Sequence, residues 1–401
     1  MEDKVFTIRE QFPILNQDLV YFDSGASSQT PEVVLEAMNT YYREYRANIH
    51  RGIYHLSERA TAEYEGARSK IAEFIGANRA EEIIFTRGAT DGLNMLSEML
   101  ESRVISGQNI IIPVTEHHSN MLSWRELARK CNLEIKYIYL KEGVLDEQAL
   151  LETIDDNTAI VVIGHISNVL GTIHNIKQVA QKAHTKGALC IVDGAQAVAH
   201  IPISVSDLGV DTYVFSGHKL YAPTGIGVLW VKYNLLEQLT PSRIGGDMVD
   251  YVNLEAIEYA TIPQRFEAGT PPIAEVIGLA RAIDWLQEIG WEYIQSHEQD
   301  LVQYIWEQIS ARPWLQVLGG GREHLRIACF AFIIDNIHTH DIAYLLAKEN
   351  ICVRAGHHCA SGIAQVLGIA GSTRATFGIY NTRQEVDRLM QALDKIYAKF
   401  Q

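Results

Sequence analysis

Lys219 stands at the end of the run Asp211-Thr-Tyr-Val-Phe-Ser-Gly-His-Lys219. An apolar β-type stretch, Tyr213 to Phe215, breaks off into small and polar residues just before it. A lysine held past a buried strand suits amine chemistry. Apolar walls lower its pKa, and the neighbouring Ser216 and His218 can bind what it attaches to. The plainer reading of the same residues is a solvated lysine after a strand end. What stands at the other strand ends decides between the two.

Ligands of open α/β sheets gather at the carboxyl ends of the strands. After Phe85 come Gly88, Ala89 and Thr90 at the start of a helix. Free N–H groups and a hydroxyl there suit a phosphate, although many such junctions bind nothing. After Val114 come Glu116, His117 and His118. Adjacent imidazoles point apart and chelate one metal poorly, so a ring stacked on a flat ligand competes with a plain helix cap. After Ile163 come Ser167 and Asn168. After Val192 comes Asp193-Gly-Ala-Gln196. An aspartate ending a fully apolar strand needs a cation, such as a protonated ring nitrogen, or a role as a helix cap. Together these ends offer a phosphate cradle, a stacking ring, a carboxylate and an amine, the set that pyridoxal 5′-phosphate requires.

Further on, Val353-Arg-Ala-Gly-His-His-Cys-Ala360 puts Cys359 behind Arg354, His357 and His358. Positive charge there would favour a thiolate. The alternative is an inert buried cysteine, and a metal site is disfavoured because consecutive residues rarely converge on one ion. Arg374 begins a strand, where its fork suits a carboxylate or a structural salt bridge.

The elements that must position these groups follow from periodicity. Strands are expected at 82–86, 110–114, 134–139, 159–163, 188–192, 213–215 and 228–231, alternating with helices at about 57–75, 119–131, 146–154 and 175–186. Several strands are continuous apolar runs, as in a sheet covered on both faces. A short first helix is expected around Ile8–Phe12, and Thr30-Pro31 reads as an N-cap followed by the first helical residue. Residues 240–271 break the alternation. Helices at about 274–289, 293–311, 340–349 and 383–398 follow, with strands at 325–333, 352–354 and 374–377. The expected division is a large α/β domain, 16–271, and a smaller α+β domain made of 1–15 and 272–401.

The 401 residues carry 34 basic and 49 acidic side chains, a net charge of −15, which argues against nucleic acid or an anionic membrane as partner. Hydrophobic residues make up 47% and charged residues 21%, the balance of a globular protein. No apolar run is long enough for a membrane span, and the N-terminus shows no signal-peptide pattern. Five cysteines without framework spacing suggest a reducing, cytoplasmic setting.

The motifs Asn48-Ile-His-Arg-Gly-Ile, Glu116-His-His-Ser-Asn, Ser167-Asn-Val-Leu-Gly-Thr, Val192-Asp-Gly-Ala-Gln-Ala, Phe215-Ser-Gly-His-Lys-Leu-Tyr, Arg265-Phe-Glu-Ala-Gly-Thr-Pro and Val353-Arg-Ala-Gly-His-His-Cys span nearly the whole chain. Their set resembles the group II cysteine desulfurases, the Suf-type or selenocysteine-lyase-like branch of the class V aminotransferases. The resemblance implies the fold type I architecture of pyridoxal phosphate enzymes. By its motifs, Lys219 is the Schiff-base lysine, His117 the stacked ring, Asp193 the partner of the pyridinium, and Gln196 the donor to the phenolic oxygen. Thr90, Ser216 and His218, with the backbone at Ala89, correspond to phosphate ligands. Thr270 completes that site from a partner subunit, which implies a homodimer. Asn168, Arg374, Arg354 and His50 fall on the substrate side, and Cys359 on the sulfur-accepting nucleophile. The implied reaction converts L-cysteine to L-alanine and leaves a persulfide for a Suf-type acceptor and iron–sulfur cluster assembly, with L-selenocysteine as a second candidate substrate. Other class V activities, epimerase or aminotransferase, are disfavoured by the Cys359 loop, and a sulfur-relay component with negligible turnover of its own is the alternative outside them. Three positions depart from the commoner pattern. Ala89 and Ala222 replace a frequent threonine and glycine, and Cys359 is followed by Ala-Ser-Gly.

Overall fold

The computed structural model describes residues 2–401. Seven strands form the central sheet: β1 (Ile83–Thr86), β2 (Asn109–Pro113), β3 (Glu134–Ile138), β4 (Thr158–Gly164), β5 (Leu189–Asp193), β6 (Thr212–Ser216) and β7 (Gly227–Val231). Their spatial order is β1-β7-β6-β5-β4-β2-β3. The strands β6, β5, β4, β2 and β3 run parallel, while β7 is antiparallel to both β6 and β1. All seven expected strands are present, with ends shifted by at most one residue. One shift matters: Asp193 is the last residue of β5 rather than the first beyond it.

The apolar runs read as doubly covered strands because each strand feeds two cores. In β1, Ile83 and Phe85 enter one buried cluster and Ile84 the other. In β2, Ile111 faces the first, and Ile110 and Ile112 face the second. This is the period of two that a pleated strand imposes.

A second, antiparallel sheet holds β8 (Leu315–Val317), β9 (Cys329–Ile334), β10 (Arg354–Gly356) and β11 (Ser372–Thr376) in the order β8-β9-β11-β10. It has its own core around Phe330, Phe332, Leu389 and Leu393. The helix Arg383–Phe400 covers that core and opens with a capping box, in which Thr382 and Glu385 each bond the other's backbone.

Several expectations are corrected. The first helix is Glu2–Arg9, and the helix after Thr30 starts at Glu32 with Pro31 in the cap position and no side-chain cap. The strand expected from Leu325 begins only at Cys329, because Arg326 instead bridges to Thr172 and donates to the Leu170 and Cys329 carbonyls. Residues 240–271 are not structureless: Val249–Val252 and Ile257–Tyr259 form an exposed hairpin. Packing also divides the chain differently from the expected domain boundary. Ile8, Phe12, Leu15 and the helix Ile273–Ile289 belong to the core of the large sheet. Phe12 meets Tyr221, Trp285 and Tyr380 edge-on, at centroid distances of 6.1, 5.5 and 4.8 Å. A helix amphipathic enough to close a small domain is equally able to close a large one, and only packing distinguishes them.

The segment ahead of Thr270 is anchored by a buried ion pair. Both oxygens of Glu267 take hydrogen bonds from Arg68, at 2.7 and 2.9 Å, and Oε1 also accepts from the Phe85 N–H at 2.7 Å. Arg68 is 2% exposed. Removing one partner strands the other charge out of water. Glu267→Ala should therefore lower unfolding free energy by about 3–5 kcal/mol, read from denaturant midpoints. The double replacement Arg68→Met with Glu267→Leu should cost less than the single one. A single variant as stable as the parent would refute the anchoring role.

Candidate functional site

The ends of β1, β2, β4, β5 and β6 surround a cavity of about 190 Å³. Its lining includes Ala89, Thr90, His117, Asn168, Asp193, Ser216, His218 and Lys219 from the large sheet's side. Arg354, Cys359 and Arg374 come from the second sheet and its loop. Eleven of the fourteen residues singled out in the sequence thus converge. Gln196 is a twelfth, in a small adjoining cavity that shares Asp193 and Lys219, where its amide donates to the Gly25 carbonyl at 2.8 Å.

Thr270 and His50 do not converge. Thr270 lines a separate cleft with Arg87, Arg243 and Glu267. His50 pairs with Glu65 at 2.9 Å. Against the upward pull of burial, His50 and Arg68 hold Glu65 down at about 2.

Lys219 ends a single turn, Gly217–Lys219, that follows β6 directly. The turn is fixed from outside. Ser28 donates to the His218 carbonyl through its N–H at 2.8 Å and its hydroxyl at 3.1 Å, and the Tyr221 N–H donates to Ser28 Oγ at 2.8 Å. Leu220 and Tyr221 are buried, so the chain is held just past the lysine. Lys219 makes no hydrogen bond or ion pair with any described residue. Burial pushes its pKa down, against the attraction of Asp193 and with the repulsion of Arg374. Such an amine is more readily neutral, and so nucleophilic, than a surface lysine.

Asp193 accepts only the Ala195 N–H, at 2.9 Å, and has no ion pair among the described residues. Burial pushes its pKa up, with Lys219 opposing. A buried carboxylate left this way is built for a cationic partner. His117 caps the helix His118–Cys131 through Nδ1, which accepts the Ser119 N–H at 3.1 Å. Burial and the Lys219 charge lower it to about 3, so the ring is neutral. The cap and the available ring face, alternatives in the sequence, are compatible. His218 is lowered by burial to about 4.

At the helix Ala89–Met99, the Ala89 N–H donates to Ser216 Oγ at 2.8 Å, and the Thr90 and Ser119 hydroxyls lie 2.6 Å apart. Gly227 makes this junction possible: a Cβ there would sit 2.4 Å from the Gly88 Cα.

The two sheets meet at the substrate-facing end. Arg374 is 2% exposed, donates to the Asn168 carbonyl at 2.7 Å, and leaves Nε without a partner. Asp23 approaches both Arg374, at 3.4 Å, and Arg354, at 3.3 Å. Asn168 donates to the His358 carbonyl at 2.7 Å, and the His118 N–H donates to the Cys359 carbonyl at 2.6 Å. The Ser361 N–H donates to His118 Nε2 at 3.2 Å. The thiol loop is thereby tied to the large sheet from both sides. Gly362 approaches so closely that a Cβ would lie 2.4 Å from the Val114 carbonyl oxygen.

His358 and Cys359 both adopt positive φ, 52° and 57°, which side chains disfavour and which turns the loop sharply. Cys359 is exposed, which removes the inert-cysteine alternative. The expected cluster of positive charge is corrected. His358 turns inward onto Ser372, and burial drives it to about 3, leaving it neutral. Among the described residues no cluster of metal-ligating side chains is found. Sequence reasoning gives the small-residue loop Asp23–Ser28 no role. Gly25 and Ala26 line the cavity, and Asp23 orients both arginines. Its signal was a run of residues too small to need space of their own.

A family model described as aminotransferase class-V matches residues 20–389. A curated relative from Halalkalibacterium halodurans, named a probable cysteine desulfurase, is 43% identical over 395 residues, covering 97% of each chain. A cysteine desulfurase of Haloferax volcanii is 38% identical over 410 residues, covering 97% of this chain and 96% of that one. The solved apo structure of a cysteine desulfurase from Thermococcus onnurineus superposes with a TM-score of 0.93 at 37% identity, covering 97% of both chains. The match runs through both sheets and through every strand end that lines the cavity, and the chain belongs to the aminotransferase class-V family.

Proposed function

We propose that this chain is a pyridoxal 5′-phosphate-dependent cysteine desulfurase, converting L-cysteine to L-alanine and receiving the sulfur on Cys359. The observation that carries this reading is that one cavity joins an unpaired, half-buried amine, Lys219, to an exposed thiol, Cys359. The class V family implies the cofactor.

The residues fit it. Lys219 is an amine without a partner. Asp193 is a carboxylate lacking a cation, suited to a protonated ring nitrogen. His117 offers a neutral ring, and Gln196 an amide beside it. Thr90, Ser216, His218 and the backbone at Ala89 suit the phosphate. Bound there, the cofactor supplies a ring that accepts the electron pair released at an amino acid's α-carbon.

The chain's own groups do the rest. Arg374 takes the substrate carboxylate with its free Nε, and Asn168 and Arg354 flank it. Lys219 Nζ, deprotonated with the help of burial, takes the α-proton and returns it during product formation. The Cys359 thiolate forms a bond to the substrate sulfur as the sulfur–carbon bond breaks, and the carbon keeps the electron pair and is protonated. Cysteine and thiol become alanine and persulfide, with no external oxidant. Holding the thiol in the same cavity makes the step effectively intramolecular.

Thr270 and His50 lie outside the cavity and support a second copy as their destination. The exposed hairpin side chains Tyr251, Val252, Leu254 and Ile257 are suited to covering by that copy. Transfer onward to a Suf-type acceptor for iron–sulfur cluster assembly is consistent with an exposed Cys359. No helix among the described residues is long and apolar enough to cross a membrane.

Mass spectrometry of protein loaded with pyridoxal phosphate and exposed to L-cysteine should find one added sulfur on Cys359. Cys359→Ala should keep the cofactor's visible absorbance while losing the persulfide and most alanine release. Alanine formed at the parental rate by that variant would defeat the assignment. Lys219→Ala should lose the borohydride-fixed cofactor label. Arg374→Ala removes a buried charge-assisted contact worth about 1.5–3 kcal/mol, so kcat/KM for cysteine should fall by roughly 10–100-fold. An unchanged kcat/KM would assign Arg374 to structure alone.

A further inference from the structure

Glu116 is a buried carboxyl that the reaction above does not use. It is 2% exposed and lies over Gly164, whose Cβ position is 3.4 Å from Oε2. Gly164 pairs with Asp193 across β4 and β5, so the two carboxyls sit at neighbouring strand ends. Oε2 accepts from the Asn120 amide at 2.6 Å, and Asn120 Oδ1 accepts from the Trp124 indole at 3.0 Å, which fixes the amide's orientation. Oε1 has no hydrogen-bond partner. Beside the carboxyl is a cavity of about 20 Å³, also lined by Asp193, Lys219, His117 and His174. That is room for one water.

The groups facing Glu116 decide its charge. From β5 comes Asp193. From beyond β4 come His174, whose Nδ1 donates to the Gly164 carbonyl at 2.7 Å, and His165, paired with Tyr213 at 2.9 Å. Both histidines are held neutral by burial. From its own segment come His117, also neutral, and Asn120. From the loop after β6 comes Lys219, the only cation lining the small cavity, and Lys219 acts on Asp193. Two ionised carboxylates would face one amine that is itself biased toward neutrality. Like charges so close do not both ionise readily.

We propose that Glu116 is a positioning residue for the ring-nitrogen end of the cofactor pocket: it keeps the proton so that Asp193 carries the single negative charge there, and its acid O–H holds a water in the small cavity behind Asp193. Burial, reinforced by the Asp193 charge, raises the Glu116 pKa to about 7. The neutral form therefore prevails below neutrality, and rising pH adds a second negative charge beside Asp193. The sign follows: the added charge favours protonated forms of the cofactor and its attached lysine.

This inference rests on the cofactor reading, and the test separates the two. In the infrared spectrum of the holoenzyme at mildly acidic pH, the carbonyl stretch of a protonated buried carboxylic acid should be present, fade as pH rises through neutrality, and be lost in Glu116→Gln. The amide keeps the shape and is neutral at every pH. The visible absorbance of Glu116→Gln holoenzyme should match the parent on the acidic side and lose its protonated form at lower pH on the alkaline side. Persistence of the infrared band in the variant, visible spectra already different on the acidic side, or identical spectra throughout would overturn the proposal. If the parent takes up no cofactor, the cofactor reading fails, and the infrared comparison on the unloaded protein still decides where the proton sits. The parent's pH series needs no variant, so a poorly folding Glu116→Gln leaves the test intact.

Discussion

The structure depends on holding one amine and one carboxylate out of water without letting them, or anything else, neutralise each other fully. Lys219 lacks any hydrogen bond or ion pair with a described residue, and Asp193 has a single backbone donor. In a stable core such groups are a cost, and the surrounding fold is arranged to bear it. The sheet supplies two covered faces whose buried clusters hold the strands in register. Ser28 and Tyr221 hold the turn that carries Lys219, and Tyr221 in turn packs into the aromatic group formed by Phe12, Trp285 and Tyr380. The N-terminal segment and the helix Ile273–Ile289 are therefore not accessories to the second sheet. They brace the turn on which the amine sits.

The same economy governs the join between the sheets. Arg374 is buried with its Nε free, an arrangement that costs stability unless a carboxylate arrives. Asp23 balances part of the charge of Arg374 and Arg354 from 3.4 and 3.3 Å, at the long end of the ion-pair range. The cavity is thus prepared for an anionic substrate without being occupied by an internal salt bridge of ideal geometry. The thiol loop answers the same requirement from the other side, tied down by Asn168, His118 and the close approach of Gly362, with the Cys359 side chain left exposed.

Most of the site was legible in the sequence because α/β alternation puts the carboxyl ends of all the central strands but the reversed β7 on one rim. Lys219, Asp193, His117 and Thr90 needed only their strands to be located. What the sequence did not carry was side-chain direction. His358 looked like a positive neighbour of Cys359, but a backbone of positive φ turns it inward, where burial keeps it neutral. Glu116 lay within a motif, yet nothing in its neighbours' identities says that its carboxyl folds back over Gly164. The packing of the N-terminal segment across the expected domain boundary was hidden for a related reason. An apolar helical face is the same in the sequence whether it covers one sheet or another, and Phe12 reveals its partner only once the chain is folded. Thr270 and His50 show a different limit: nothing in their motifs says that they lie away from the cavity.

The neutrality of the histidines gives the arrangement a further consequence. His117, His218 and His358 line the pocket, His174 lines the small cavity beside it, and His165 follows β4; burial lowers the pKa of every one. Near neutral pH they contribute ring faces, acceptors and donors but no charge. The electrostatic state of the cavity is then set by few groups: the arginines on the substrate side, and Lys219, Asp193 and Glu116 at the sheet. A site whose charge is confined to so few residues can separate two tasks within a single space. In the proposed reaction the arginine end takes the substrate carboxylate, while the sheet end controls a proton. The two ends stay coupled even so, because the charge of Arg374 bears on Lys219 and helps burial push its pKa down.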